Sequence, residues 1–278
     1  LDYPDSERKV QQRPIPKLGG LAVAVAFTVV ASLALAIANY PNELPLALGA
    51  VLPALFAGLV GYLDDRRHLN PYLRLALQAL TGLLVWYLGS SVDVFASKWL
   101  SALAVTAFVV ILINGLNLLD NSDGLAASTV TLSALGAAAI AVIFGQELVS
   151  ILGFALVGVS LGFLWHNWFP ARVYMGDSGA YFLATLLAVL IIRIRPDSVE
   201  PLVGLLIALL LITLPIVDTT YVVIKRLSAG VHPFTAGRDH LSHMLQNRGQ
   251  SVPKSVVLLQ VLGLIGPIAA VVIAVAAS

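Results

Sequence analysis

The sequence predicts an all-α, polytopic transmembrane bundle. Two observations predict it. The 278 residues are 59% hydrophobic and only 11% charged, against about 25% charged in an ordinary soluble domain. Charge-free apolar runs also recur along the whole chain, and about 20 such residues suffice to cross a bilayer as a helix. A membrane β-barrel needs short strands of alternating polarity. Runs such as "VVILI" and "LLIALLLITL" do not alternate.

Nine spans are expected in order, at residues 18–38, 44–63, 72–89, 99–119, 125–144, 148–165, 178–194, 202–224 and 255–277. The third carries Arg74 and Gln78, and the seventh is short, so these two fit a full span least well. Pro53, Pro215 and Pro267 fall inside spans and are expected to kink them. The chain reads as one membrane domain over 1–278, with a single long connection at 225–254. No internal repeat marks an inverted-repeat transporter. The start, "LDYPDSERKV", has neither the n-region nor the h-region of a signal peptide.

Basic residues orient the bundle. With alternating spans, all of the 16 lysines and arginines except Lys98, Arg193 and Arg195 fall on one side. That side is expected to be cytoplasmic. A net charge of +1 gives no case for nucleic acid, and the absence of cysteine removes disulfide and thiolate chemistry. On the same map Asp64, Asp65, Asp120, Asp123, Asp177, Asp239, His166, His240 and His243 share the basic side, with Asp218 near that end of its span.

Five stretches there are candidates for chemistry. In "GYLDDRRHLNP", Asp64 and Asp65 repel unless a cation stands near. They read either as a solvated loop or as a base or Mg²⁺-assisted phosphate site. In "NGLNLLDNSDGLAAS", Asn114, Asn117 and Asp120 repeat at a helical step, with Asp123 at the same step. Capping would use one of them. Four together read as the lining of a wet cleft, because a polar row is costly in lipid. In "YMGDSGA", Asp177 is an N-cap or a metal ligand, and Mg²⁺ usually takes one or two carboxylates plus phosphate oxygens. In "HPFTAGRDHLSHML", His240 and His243 lack the third ligand of a zinc site. With Arg238 they suit phosphate oxygens better. The basic entry "RKVQQRPIPKLGGLA", with Arg13 and Lys17, reads as membrane anchoring, and Gly19-Gly20 allows close backbone approach.

Taken in order, these stretches resemble the polyprenyl-phosphate N-acetylhexosamine-1-phosphate transferases. The shared pattern is RKxxxxPIPxLGG, LDDR, NxxNLLDxxDGLAA, MGDSG and PFxxGRDHLSH, and it covers nearly the whole chain. The resemblance implies a bacterial plasma-membrane enzyme with its site facing the cytoplasm. Undecaprenyl phosphate would attack a UDP-N-acetylhexosamine, releasing UMP, as the first membrane step of cell-wall, lipopolysaccharide or teichoic-acid synthesis. It implies Mg²⁺, with Mn²⁺ as a substitute, and is compatible with a homodimer. Carried over by position, Asp177 and Asn117 are the expected metal ligands. Asp64, Asp65, Asp120, His240 and His243 are the expected catalytic set, with Asp64 favoured over Asp65 as base. Asn114, Asp123, Tyr174, Arg238, Lys17 and Arg13 are expected substrate contacts, Tyr174 by stacking on uracil. Asp218 matches an acidic position expected to be structural.

There are departures. Asp120-Asn121-Ser122-Asp123-Gly124 stands where the family often has DGxDG, and His240-Leu241-Ser242-His243 where it often has HxHH. The HLSH form is nearer the GlcNAc-phosphate branch than the muramoyl-pentapeptide branch, which is the alternative within the family. Members usually have ten or eleven spans, so a terminal span is expected to be missing at either end. From other classes, an intramembrane aspartyl protease would need GxGD where the chain has "YMGD". A secondary transporter would need polar groups at mid-bilayer.

Overall fold

A computed structural model describes residues 14–38, 43–90, 97–194, 199–232, 235 and 237–278. The described residues form helices joined by short turns, as expected. In order they are α1 (Gly19–Ala38), α2 (Leu44–Arg67), α3 (Pro71–Tyr87), α4 (Lys98–Leu119), α5 (Leu125–Ile143), α6 (Glu147–Asn167), α7 (Gly176–Arg193), α8 (Pro201–Leu211), α9 (Thr213–Ser228), α10 (Leu241–Asn247), α11 (Val252–Gly263) and α12 (Ile265–Ala277).

Seven of these segments are long and apolar enough to cross a membrane, with α11 and α12 counted as one, and α8 with α9 makes an eighth if the bent pair is a single span. α3 occupies the third expected span but has only 17 residues. Each of the nine expected stretches is thus largely helical, while eight is the largest number that meets the length and composition of a full span.

Local chemistry sets the helix ends. α3 opens at Asn70-Pro71, where the Asn70 side chain accepts from the Tyr72 N–H at 2.9 Å and proline loses no helical bond at the first position. α9 breaks from α8 by 71°. Pro215 lacks the N–H that would reach the Leu211 carbonyl, and the Thr213 hydroxyl takes up the Leu210 carbonyl at 2.7 Å. Of the three prolines expected to kink spans, Pro215 lies beside the sharp break.

α7 is the axis of the bundle. Of its 18 residues, all but Asp177 and Arg193 are buried. It packs most extensively on α2, and also on α4, α1, α5 and α6. The buried face of α2 is built from Ala47, Gly49, Ala50, Ala54, Ala57 and Gly61, and small residues let helix backbones approach closely. The outer surface leaves Leu21, Val25, Leu33, Leu103, Trp165 and Val272 exposed, as a lipid-facing surface does. Alternation of the helices brings the C-termini of α2, α4 and α6 to the same end as the N-termini of α3, α5 and α7. At the opposite end, Arg193 is bound to the Leu46 carbonyl and the Ser90 hydroxyl. This arginine, which breaks the charge pattern, therefore ties α7 to α2 and the end of α3.

Candidate active site

The site is organised around the first turn of α7. A helix start leaves N–H groups without partners, and Met175, before α7, offers no capping oxygen. Carboxylates from two other helices supply them. Asp65, at the end of α2, accepts from the Ser178 N–H at 3.1 Å and from the Asp177 N–H. Asp120, just after α4, accepts from the Gly176 N–H. Gly176 has φ +69°, and a Cβ there would stand 2.7 Å from Asp65 Oδ2. With that φ and Asp65 so close, glycine suits the step between Asp65 and the helix it caps.

This arrangement gathers Asp65, Asp120 and Asp177. Asn117, one turn before Asp120, donates to Asp177 Oδ1 at 2.6 Å. The helix start offsets part of the negative charge, but the charges still repel. Burial pushes the Asp120 carboxyl well above the usual carboxylate range, and the nearby Asp177 and Asp65 raise it further. Among the described residues, no three His, Asp or Glu side chains close on one point as a complete metal site. Mg²⁺ does not need one. It usually keeps water or substrate oxygens and takes only one or two protein carboxylates. A concentrated set of hard oxygen donors, short of cations, fits such an ion.

Asp64 is engaged differently. It is 4% exposed and accepts from the Leu69 N–H at 2.9 Å, the Tyr181 hydroxyl at 3.1 Å and Arg74 Nη1 at 3.3 Å. Three donors hold it against α3 and α7. Both members of the pair act on Asp177, Asp65 more strongly than Asp64, and Asp65 acts on Asp120 as well.

The other expected residues divide. Asp123 does not continue the helical row, because α4 ends at Leu119. Its Oδ2 accepts from the Ala171 N–H at 2.9 Å, and burial raises its carboxyl. It pins the α4–α5 turn to the α6–α7 loop. Asn167 works beside it, accepting from the Gly124 N–H at 3.0 Å and donating to the Val173 carbonyl at 2.9 Å. Asn114 lies on the expected helix face but donates to Gln78 Oε1 at 2.7 Å and the Val110 carbonyl at 2.8 Å. Its amide is thus tied to α3.

Lys17 is half-buried and close enough to act electrostatically on Asp65. The strand-like entry around it is held to the start of α7. Tyr174 N–H donates to the Pro16 carbonyl, Gly19 N–H to the Tyr174 carbonyl, and Gly20 N–H to the Met175 carbonyl, at 3.0, 3.1 and 3.0 Å. A Cβ on Gly20 would lie 2.2 Å from the Gly179 nitrogen. The glycine pair is therefore a helix contact. Arg13 lies outside the described residues.

His240 and His243 are buried and edge-to-face, with ring centres 5.7 Å apart. Burial, with His240 and Arg238 nearby, pushes His243 down to about 4. Among the described residues its Nδ1 finds no hydrogen-bond partner. Arg238 is exposed in the preceding loop. The histidine helix is joined to the aspartate turn by Ser242 Oγ, which donates to Asn121 Oδ1 at 2.5 Å, and by Gln246 Nε2, which donates to Ser122 Oγ at 3.3 Å. The residues at the two departures from the family pattern therefore touch each other.

Sequence reasoning missed the contributions of Tyr181, Asn167 and Asn121. Arg74, a charge inside an apolar run, was the available signal for the Asp64 network.

The sequence model of "Glycosyl transferase family 4" matches residues 47–195. A probable undecaprenyl-phosphate N-acetylglucosaminyl 1-phosphate transferase of Bacillus subtilis is 30% identical over 286 residues, covering 98% of this chain and 77% of the relative. A phospho-N-acetylmuramoyl-pentapeptide-transferase of Streptococcus pneumoniae is 31% identical over 216 residues, covering 68% of this chain and 63% of the relative. A decaprenyl-phosphate N-acetylglucosaminephosphotransferase of Mycolicibacterium smegmatis is 27% identical over 289 residues, covering 92% and 71%.

Proposed function

The chain belongs to glycosyl transferase family 4, and from that premise we propose that it moves GlcNAc-1-phosphate from UDP-GlcNAc to a polyprenyl phosphate, at the cytoplasmic face of a bacterial plasma membrane. The observation that carries the reading is the meeting of Asp65, Asp120, Asp177 and Asn117 at the start of α7. They come from three separate motifs, and all lie at one end of the bundle. The N-acetylglucosaminyl donor is preferred to the muramoyl-pentapeptide donor because likeness to the Bacillus relative runs over 98% of the chain, against 68% for the Streptococcus relative.

Asp177 and Asn117 would hold Mg²⁺, with Asp120 beside them. When bound, the ion would neutralise a nucleotide diphosphate. The residues themselves supply position. Asp65 and Asp120 fix the first turn of α7, so the Asp177 carboxylate sits at a set distance from α4. Asp64, with three donors, holds the end of α2 against α3 and α7. Lys17, close enough to act on Asp65, would meet an incoming phosphate. A phosphate monoester has its second pKa at about 6, so it is largely a dianion at neutral pH. The demand on a general base is correspondingly small, and Asp65 is better placed for it than Asp64.

The test mixes purified protein with UDP-GlcNAc and undecaprenyl phosphate, with and without Mg²⁺. Release of UMP that needs both lipid phosphate and cation supports the reading. Release without lipid, or none with any UDP-N-acetylhexosamine, counts against it.

A further inference from the structure

The loop before α10 is tied to α9 at two places. Arg226 grips Asp239 through two bonds, Nε to Oδ2 at 2.7 Å and Nη2 to Oδ1 at 2.8 Å. The second tie is Asp218. It sits in the middle of α9, only 1% exposed, on a helix whose other faces leave Val217 and Ile224 open to the surroundings. An acidic side chain in such a helix is costly unless its oxygens are satisfied. Both are. Oδ1 accepts from the Leu241 N–H at 2.9 Å, the first residue of α10. Oδ2 lies 2.9 Å from His240 Nδ1.

An ionised carboxylate only accepts, so the ring nitrogen facing it carries the hydrogen. The partner of one imidazole nitrogen decides what the other can do. We infer that Asp218 is a positioning residue: it holds a hydrogen on His240 Nδ1 and so leaves Nε2 as the proton-exchanging atom of the ring, which accepts a proton when bare and donates to a substrate phosphate oxygen when protonated. The consequence for substrate rests on the function proposed above; the tautomer itself does not. A purely structural acid would need only the Leu241 N–H. Asp218 spends its second oxygen on a ring that stands against His243 and one residue from Ser242, which is bound to the aspartate turn. The broken helix α9 thereby sets the orientation of a side chain on the helix that is bound to the aspartate turn.

Two measurements decide it. ¹⁵N NMR of histidine-labelled protein in detergent at about pH 8, with His240→Gln to assign the signal, reads the tautomer directly. Hydrogen on Nδ1 is expected, and a bare Nδ1 overturns the inference. In the UMP-release assay, Asp218→Asn keeps shape and one acceptor while removing control of the ring. It should lower kcat about 10- to 100-fold, the range seen when the partner that orients a metal-bound histidine is lost, with the helical content retained. In a His240→Gln background the same substitution should cost nothing more, whereas multiplied losses overturn the inference. If Asp218→Asn does not accumulate as folded protein, the spectrum of the unaltered chain decides. Failure of the unaltered chain to release UMP would speak against the proposed function, and the spectrum would still judge Asp218.

Discussion

Replacing Gly61 with alanine puts a methyl group into the contact between α2 and α7. Its Cβ would stand 2.3 Å from the Asp177 carbonyl oxygen, 2.5 Å from its carbonyl carbon and 2.7 Å from the Ser178 nitrogen. These are backbone atoms, so no side-chain rotation relieves the clash. Ordinary contact begins at 3.4 Å, and the two helices must therefore part by about 1 Å, a displacement that at a reacting group costs about 100-fold in rate. The opening acts directly on Asp177 and on the 3.1 Å bond between Asp65 and the Ser178 N–H. Overpacking of this kind also destabilises by about 1–3 kcal/mol. The assay is lipid-dependent UMP release, with melting temperature read on the same sample. Gly58→Ala is the control. One turn earlier on the same face, its Cβ meets Phe182 Cβ at 3.4 Å and the Ser178 carbonyl at 3.5 Å, so it should behave as the unaltered protein. Equal activity in the two variants would refute the claim that α2 positions Asp177 by direct contact.

Asp177→Asn should abolish turnover with the helical content intact, and Mg²⁺ should raise the melting temperature of the unaltered protein but not of this variant; a normal rate would remove Asp177 from the metal site. His243, held near 4 instead of its ordinary 6.5, is neutral in the fold at neutral pH. Because its folded value is depressed, the stability it contributes is present above 6.5 and lost as pH falls from there toward 4. Its NMR titration should show that midpoint, and a midpoint near 6.5 would contradict the burial. Asp239, lowered by its bonds to Arg226, acts in the same direction further down, with its contribution lost as pH falls below 3.8. Asp239→Asn should therefore cost about 1–3 kcal/mol at neutral pH, the range for a charge-assisted pair, and flatten the lowest part of the acid-denaturation curve.

Much of the fold was legible because its physics is local. Apolar length gives the helices, and Asn70-Pro71 gives the start of α3. The candidate site was legible as a set of stretches, since carboxylates, amides and imidazoles at one end of oily segments need a reason. What each residue does there was less visible. Asp65 caps a helix 113 residues away, and Asp64 meets a tyrosine 117 residues away. No spacing rule reaches that far. The row Asn114, Asn117, Asp120, Asp123 looked continuous by periodicity, but the helix stops at Leu119, and Asp123 turns to a different loop. The 71° break between α8 and α9 was hinted at by Pro215, whose usual effect is a kink and not a change of direction this large. Gly61 looked like an ordinary small residue, because the close contact that requires it comes from another helix, whereas the Gly19-Gly20 pair was legible as a close approach but not its partner on α7.

α7 presents protein, not lipid, on nearly every side, and it is the least apolar of the long helices. In the finished molecule that is harmless. During synthesis the same segment must leave the translocation channel with a weak preference for oil, at a time when α8 to α12 have yet to be made. Its main partners α1, α2, α4, α5 and α6 precede it in the chain and can be waiting to receive it; only the slight contact with α8 comes later. The order of the helices thus gives the most buried span a ready-made berth at the moment it enters the bilayer.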